Sequence, residues 1–104
     1  MTTQQLVSER TQEFLRALAS ENRQRIVMLF ADGQPRTVGQ VAAEAGVGQS
    51  TASEQLTLLR RGGLVRAERN GKTVRYMADG DGIAAALSEL QQVLARCCPP
   101  EASS

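Results

Sequence analysis

The residues able to do chemistry in this chain fall into two groups. Cys97 and Cys98 are its only thiols, and they are adjacent. Upstream, Gln49, Ser50, Thr51, Ser53, Glu54, Thr57 and Arg61 lie close together, and Arg69, Lys72 and Arg75 follow them. The adjacent thiols suit capture of a thiophilic ion, because soft ions prefer thiolate to oxygen. They equally suit oxidation or persulfide chemistry, since a resolving thiol sits beside the attacked one. The inert reading is that Cys97 packs as a small hydrophobe and Cys98 is incidental. The upstream group is non-covalent in character: Ser, Thr and Gln bond base edges or phosphates, and Arg and Lys neutralise phosphate.

No histidine is present. That removes the Ser-His-Asp triad, most general-base dyads and every imidazole metal ligand. No phosphate-cradling glycine loop or convincing carboxylate pair takes their place; Asp79 and Asp81 flank glycines and read as helix caps. The chain is therefore expected not to be an enzyme.

The elements that must position these residues follow from hydrophobic period and breakers. A first helix is expected over about 4–18, with Val7, Phe14, Leu15 and Leu18 on its apolar side. A second covers about 22–31 after a stop at Ser20-Glu21-Asn22, burying Ile26, Leu29 and Phe30. Thr37 caps a short third helix, 38–45. Gly46-Val47-Gly48 leaves room only for a sharp corner before a fourth helix, 49–61, whose inner stripe is Ala52, Leu56 and Leu59. Gly62-Gly63 ends it. The period then turns strand-like over 64–69 and 73–78, joined through Asn70-Gly71, the signal for a type I′ hairpin. A last helix, about 83–96 with Asp81 as a candidate cap, repeats Ile83, Leu87, Leu90, Leu94, and Cys97 extends the series. Pro99-Pro100 stops it, leaving 99–104 as a tail.

A short helix, a glycine turn and a second helix make the helix-turn-helix pattern over 37–61, and the basic hairpin 64–78 behind it makes a wing. With Ala52, Leu56 and Leu59 inward, Ser50, Glu54, Thr57 and Arg61 point outward, Ser53 lies beside them, and Gln49 is exposed at the first turn. Arg69, Lys72 and Arg75 on the wing suit backbone or minor-groove contact. Charge agrees: from Arg36 to Ala78 seven cations face three anions, a net +4, while the two ends carry five against eight, a net −3. Double-stranded DNA is the expected partner. A winged helix used for protein binding is the rival, kept alive by Glu54 and the modest charge.

The whole chain is 104 residues, 41% hydrophobic and 22% charged, which bounds it to one globular domain with a modest core. Aromatics are scarce (Phe14, Phe30, Tyr76), so base-stacking platforms are poorly supported. The N-terminus lacks signal-peptide order and no apolar run reaches membrane-spanning length, so a cytoplasmic location with free thiols and no membrane partner is expected.

Three stretches carry a family resemblance: Leu18-Ala19-Ser20-Glu21-Asn22-Arg23-Gln24-Arg25-Ile26, Val47 through Leu56 (VGQSTASEQL), and Leu58-Leu59-Arg60-Arg61-Gly62-Gly63-Leu64-Val65. Together they resemble the ArsR/SmtB family of bacterial transcriptional repressors, over about 11–94. The resemblance implies a mainly α winged helix-turn-helix fold (α-α-α-α-β-β-α), a single domain spanning 1–104. It implies a homodimer through the first and last helices, 4–18 and 83–97, and a palindromic operator released when an inducer binds. The stripe Ile83, Leu87, Leu90 and Leu94, with Val7, Phe14 and Leu18 as a matching face, supports that dimer from the residues; packing within one chain is the alternative.

Two departures from the family pattern matter. Glu54 stands where a basic or neutral residue is common: either it accepts from a cytosine amino group or it is ordinary surface charge. The familiar metal sites are also absent, since the third helix has no cysteine and the last no histidine. What remains is Cys97-Cys98, resembling the vicinal cysteines with which some members capture As(III) or Sb(III) as inducer. No obligatory cofactor is expected. Two sulfurs are one short of a trigonal site, so water, a small thiol or the other subunit must supply the third ligand. Arg96 is expected to favour thiolate, against the helix C-terminus.

Overall fold

The computed structural model describes residues 5–101, as five helices and one hairpin. Three helices start on the same device. The hydroxyls of Ser8, Ser20 and Thr37 accept from the backbone N–H groups of Thr11, Arg23 and Gln40 at 3.3, 3.3 and 3.2 Å. Each satisfies a donor the first turn leaves unpaired. They open α1 (Glu9–Leu18), α2 (Glu21–Leu29) and α3 (Val38–Ala45), and at α3 the Gln40 side chain reciprocates to complete a capping box. The first helix thus begins at Glu9 rather than near residue 4. The expected 22–31 helix ends at Leu29 and tightens into a 3₁₀ turn, Phe30–Asp32, closed by Gly33 at φ 77°.

α4 (Gln49–Arg61) follows the three-residue corner as expected. Gly63, at φ 75°, supplies the left-handed residue past its end. β1 (Val65–Asn70) and β2 (Thr73–Ala78) pair antiparallel with Val65 opposite Ala78 and Asn70 opposite Thr73. That register corrects the expected turn. Asn70 belongs to the strand, the two loop residues are Gly71 and Lys72, and of these only Gly71 has positive φ (66°). Positive φ at the first central residue alone is the type II′ pattern, not I′. α5 (Gly80–Cys97) starts earlier than expected. Its cap is Asp79, whose carboxylate accepts from Gly82 N–H at 2.9 Å, and Asp81 sits inside the first turn.

The core centres on α4, whose Ala52, Leu56 and Leu59 are completely buried among Phe14 and Ala17 of α1, Ile26 of α2, Phe30, Val41 of α3, Leu64, Val65 and Ala86 of α5. Burying such side chains is worth roughly 1.5–3 kcal/mol each. Glycine lets the terminal helices reach the end of α4: a Cβ on Gly62 would meet Ala17 Cβ and the Glu13 carbonyl, and one on Gly82 would strike the Gly63 carbonyl.

Arg36 ties the helix-turn-helix to the wing. Its guanidinium donates to both carboxylate oxygens of Asp32 (2.9 and 2.8 Å) and to Glu44 (2.8 Å), and it lies 5.8 Å from the Phe30 ring centroid. Its backbone pairs both ways with Tyr76 of β2. These contacts hold the Asp32 carboxyl well below the usual carboxylate range and push the guanidinium pKa higher still; the side-chain hydrogen bonds dominate both shifts. Arg36 therefore counts toward the basic centre by sequence but is neutralised within the protomer.

Two residues assigned to the dimer face lie inside instead. Phe14 and Val7 are 2% and 4% exposed, so neither has surface to give a partner. Leu18, Ile83 and Leu90 are half-buried against the core, while Leu87 and Leu94 are exposed, as are Leu6 and Leu15. Of α5 only Gly82 and Ala86 are buried. The radius of gyration is 16.2 Å, against about 13 Å for a compact chain of this length. No helix among the described residues is long and apolar enough to cross a membrane.

Candidate nucleic-acid interface

With one side of α4 sunk completely in the core, its orientation is fixed, and a step of about 100° per residue sets what faces out. Gln49, Ser50, Thr51, Ser53, Glu54, Thr57 and Arg61 are all exposed. They are not equivalent. Ser53, Glu54, Thr57 and Arg61 line one shallow concavity with Leu58, a half-buried residue that composition alone did not single out. Ser50 falls on the same line of the helix, one turn before Glu54. Thr51 is rotated away and lines a different hollow, between α2 and the end of α3.

Hydrogen bonding separates the row further. The Thr57 hydroxyl donates to the Ser53 carbonyl at 2.9 Å, so it meets a ligand as an acceptor and a methyl group. Glu54 makes no ion pair among the described residues, and neither does Arg61. The row therefore presents an uncompensated carboxylate with a guanidinium two turns further on. Thr37, half-buried, accepts from Gln40 N–H to cap α3, which leaves its hydroxyl proton to donate.

The wing residues are divided by the strand pleat. In the observed register Arg69 opposes Val74, whereas Arg75 opposes Glu68 on the other face of the ribbon. Lys72 stands alone at the exposed tip. Arg69, Lys72 and Arg75 make no ion pair among the described residues; Arg66 and Glu68 form a loose one at 3.9 Å. Lys72 is thus the cation the hairpin projects furthest, and Arg75 is partly offset by its cross-strand carboxylate.

The structure also adds cations that the sequence pattern assigned to the acidic ends. Arg10 and Arg16 of α1 share a polar hollow with Arg61, together with Glu9 and Glu13. Arg16 is held by Glu13 at 2.9 Å, so Arg10 and Arg61 are the cations left there. Arg23 is structural: it donates to the carbonyls of Ala17 and Arg16 at the end of α1 and to Gln55 of α4. It locks three helices together, which accounts for its place in the motif Ser20-Glu21-Asn22-Arg23.

Cys97 and Cys98 are exposed at the end of α5. The Cys97 thiol donates weakly to the Leu94 carbonyl at 3.8 Å. The neighbouring Cys98 thiol, with some desolvation, pushes the Cys97 pKa up, against the expected help from Arg96. Among the described residues no group of three His, Cys, Asp or Glu side chains could hold a metal ion.

Comparison with known proteins bears on this surface. A helix-turn-helix domain family matches residues 18–68, which span α2 through most of β1. The HTH-type transcriptional regulator Rv0081 of Mycobacterium tuberculosis is 38% identical over 85 residues, 81% of this chain and 74% of that protein. Its crystal structure superposes with a TM-score of 0.59 over 82% of this chain and 85% of its own. The regulator CmtR of the same organism is 43% identical over 79 residues, 76% of this chain and 66% of that one. The solution structure of Mb0332 from Mycobacterium bovis is a homodimeric winged helix-turn-helix DNA-binding domain, described as a possible ArsR-family regulator. It matches with 29% identity and a TM-score of 0.66 over 92% of this chain and 89% of its own.

Proposed function

The chain belongs to the ArsR/SmtB family of winged helix-turn-helix transcriptional regulators, and from that premise we propose that it is a homodimeric cytoplasmic repressor. α4 would read an operator in the major groove. The observation that carries this is the row Ser50, Glu54, Thr57 and Arg61, exposed on a helix whose other side is wholly buried, with Lys72 at the wing tip. Ser50, Ser53, Thr57 and Gln49 supply hydrogen bonds, and Thr37, Arg61, Arg69, Lys72 and Arg75 hold phosphates, while Thr51, turned toward α2, is left out of the contact. Glu54 accepts from a cytosine amino group, the base edge that offers a carboxylate a donor without an adjacent acceptor.

Dimerisation through α1 and α5 places two such heads on a palindrome. The half-exposed stripe of α5 favours it, because Leu87 and Leu94 are 52% and 45% exposed in the protomer. Leu18, Ile83 and Leu90 border that stripe, and exposed Leu15 takes the part first assigned to Phe14.

Cys97 and Cys98 are assigned to inducer capture. The exposure of both thiols favours this over packing. Arsenite or antimonite would exchange hydroxide for thiolate at each sulfur, releasing water, with the third ligand coming from outside the chain. A ligand at the end of the dimer helix acts by favouring a DNA-incompetent arrangement of the two heads.

The test is binding of the reduced protein to labelled DNA from its own upstream region. A specific complex should weaken steeply with salt, and Lys72→Ala should flatten the log–log slope by about 1. Equal weak binding to operator and random DNA would remove the repressor assignment. Arsenite should release the wild-type complex and leave that of the Cys97→Ser, Cys98→Ser double variant intact. Release of both, or of neither, would take the thiols out of the mechanism.

A further inference from the structure

Behind the recognition helix lies a hollow of about 250 Å³ that DNA reading does not use. It opens between α2, the end of α3, the corner at Val47 and the first half of α4. Its apolar side is Ile26, Leu29, Ala45 and Val47, and its polar side is Asn22, Arg25, Glu44, Thr51 and Gln55. A cavity of about 150 Å³ lined by apolar side chains already accepts benzene. This one has room for a ring and a small polar group.

The two charges at its mouth, Arg25 and Glu44, are not paired with each other. The Glu44 carboxylate accepts from Arg36 at 2.8 Å, a guanidinium it shares with Asp32, and so is held there rather than by Arg25. Arg25 has only a 3.3 Å bond to the neutral Asn22 side chain and no ion pair among the described residues. Gln55 is held by Arg23 at 3.2 Å and presents its remaining polar atoms to the same space. An apolar wall facing a guanidinium with no ion-pair partner among the described residues suits one class of ligand, a small amphiphilic anion that supplies the missing carboxylate. Two other hollows lack this combination: the one beside α1 is lined by polar side chains alone, and the one on the outer face of α4 is shallow and carries Glu54.

We propose that this hollow binds a small carboxylate with an aromatic or short aliphatic body, its carboxylate on Arg25 and its body against Ile26, Leu29 and Val47, and that occupancy lowers DNA affinity. The coupling is mechanical. Val47 is the corner of the helix-turn-helix, and Thr51 and Gln55 stand on α4 one position past Ser50 and Glu54. A ligand wedged between α2 and α4 shifts how the recognition helix seats on the core, and by linkage DNA disfavours the ligand as much as the ligand disfavours DNA. The coupling rests on α4 reading DNA; the binding site does not.

Benzoate is the probe, with benzyl alcohol as the uncharged control, titrated into DNA-free protein and followed by the methyl resonances of Ile26, Leu29 and Val47. Benzoate should give saturable shifts confined to these methyls, with Kd on the order of 1 mM, ordinary for so small a ligand. Arg25→Gln should weaken it about tenfold. Ala45→Met, which fills the hollow, should abolish it while circular dichroism and the melting temperature show a folded protein. Benzyl alcohol binding as tightly as benzoate, or Arg25→Gln binding unchanged, would overturn the assignment. So would the absence of any saturable shift. In the second arm, saturating benzoate should raise the operator Kd several-fold in the wild type and not in Arg25→Gln. Benzoate that binds yet leaves the operator Kd unchanged would refute the coupling. A protein that binds no DNA would fail the repressor assignment alone, since the first arm needs none.

Discussion

α4 and α5 carry leucine stripes of the same helical period, yet Leu56 and Leu59 on α4 are completely buried while Leu87 and Leu94 on α5 are 52% and 45% exposed. The difference lies in the surroundings. α4 is enclosed by α1, α2, α3 and β1, and its outward side is polar. α5 touches the protomer mainly through α1 and buries only Gly82 and Ala86. An apolar stripe states that something must cover it, not whether the cover comes from the same chain.

Substitutions on the two stripes should therefore separate stability from assembly. Leu56→Ala removes a fully packed side chain and should cost about 2–5 kcal/mol of unfolding free energy. Leu87→Asp should leave monomer stability within about 0.5 kcal/mol. It should instead weaken the dimer by about tenfold or more, read by sedimentation at several protein concentrations. A Leu87→Asp protein of unchanged mass would mean that α5 is not the dimer helix.

How far each region was legible follows from the same contrast. Around α4 the signals are local and agree with one another: the Thr37 cap, the glycine corner, the Ala52-Leu56-Leu59 stripe and the Gly62-Gly63 stop each fix a boundary within a few residues. At the ends the deciding contacts are distant in sequence. Phe14 shares α1 with exposed Leu15, and only the fold, which gathers Phe14 into one buried cluster with Ile26, Phe30 and Leu59, selects it for the core. The turn differs from the expected one because Asn70-Gly71 permits two registers, and the cross-strand pairing that chooses between them involves Val65 and Ala78, thirteen residues apart. Arg36 shows the same limit in the charge count. Its partners Asp32 and Glu44 lie nearby in sequence, but only the fold aims all three at one another.

Within the DNA-facing row, the contrast is between Glu54 and its neutral neighbours. If Glu54 accepts from cytosine, replacing it by Gln should move the preference at one position of each half-site from cytosine to adenine, which Gln contacts bidentately. The discrimination at stake is about 1–3 kcal/mol, measured by selection from randomised operators. Ser50→Ala and Ser53→Ala should lower affinity with little change in the preferred bases. A Glu54→Gln protein that binds every sequence more tightly, with no position altered, would reduce Glu54 to surface charge.

The smallest effect concerns how the two regions are joined. Glu89 of α5 accepts from the Ser8 backbone N–H (2.7 Å), the Ser8 hydroxyl (2.8 Å) and the Thr11 hydroxyl, and so fastens α5 to the start of α1. Arg10 lines the same recess. These bonds favour the ionised form, Thr11 foremost, and lower the Glu89 pKa from its ordinary value. A carboxyl depressed by folding stabilises the native state fully above its unfolded pKa, about 4.3, and that contribution disappears as pH falls through the lower folded value. Glu89→Gln should therefore melt below the wild type at pH 7. The gap should narrow as pH drops below about 4, because the wild-type carboxyl is then being protonated as well. Thermal unfolding of both proteins across this range is the measurement. A gap that stays constant with pH would show that the fastening is steric, and that α5 is held to α1 by Ala86 and Gly82 without help from charge.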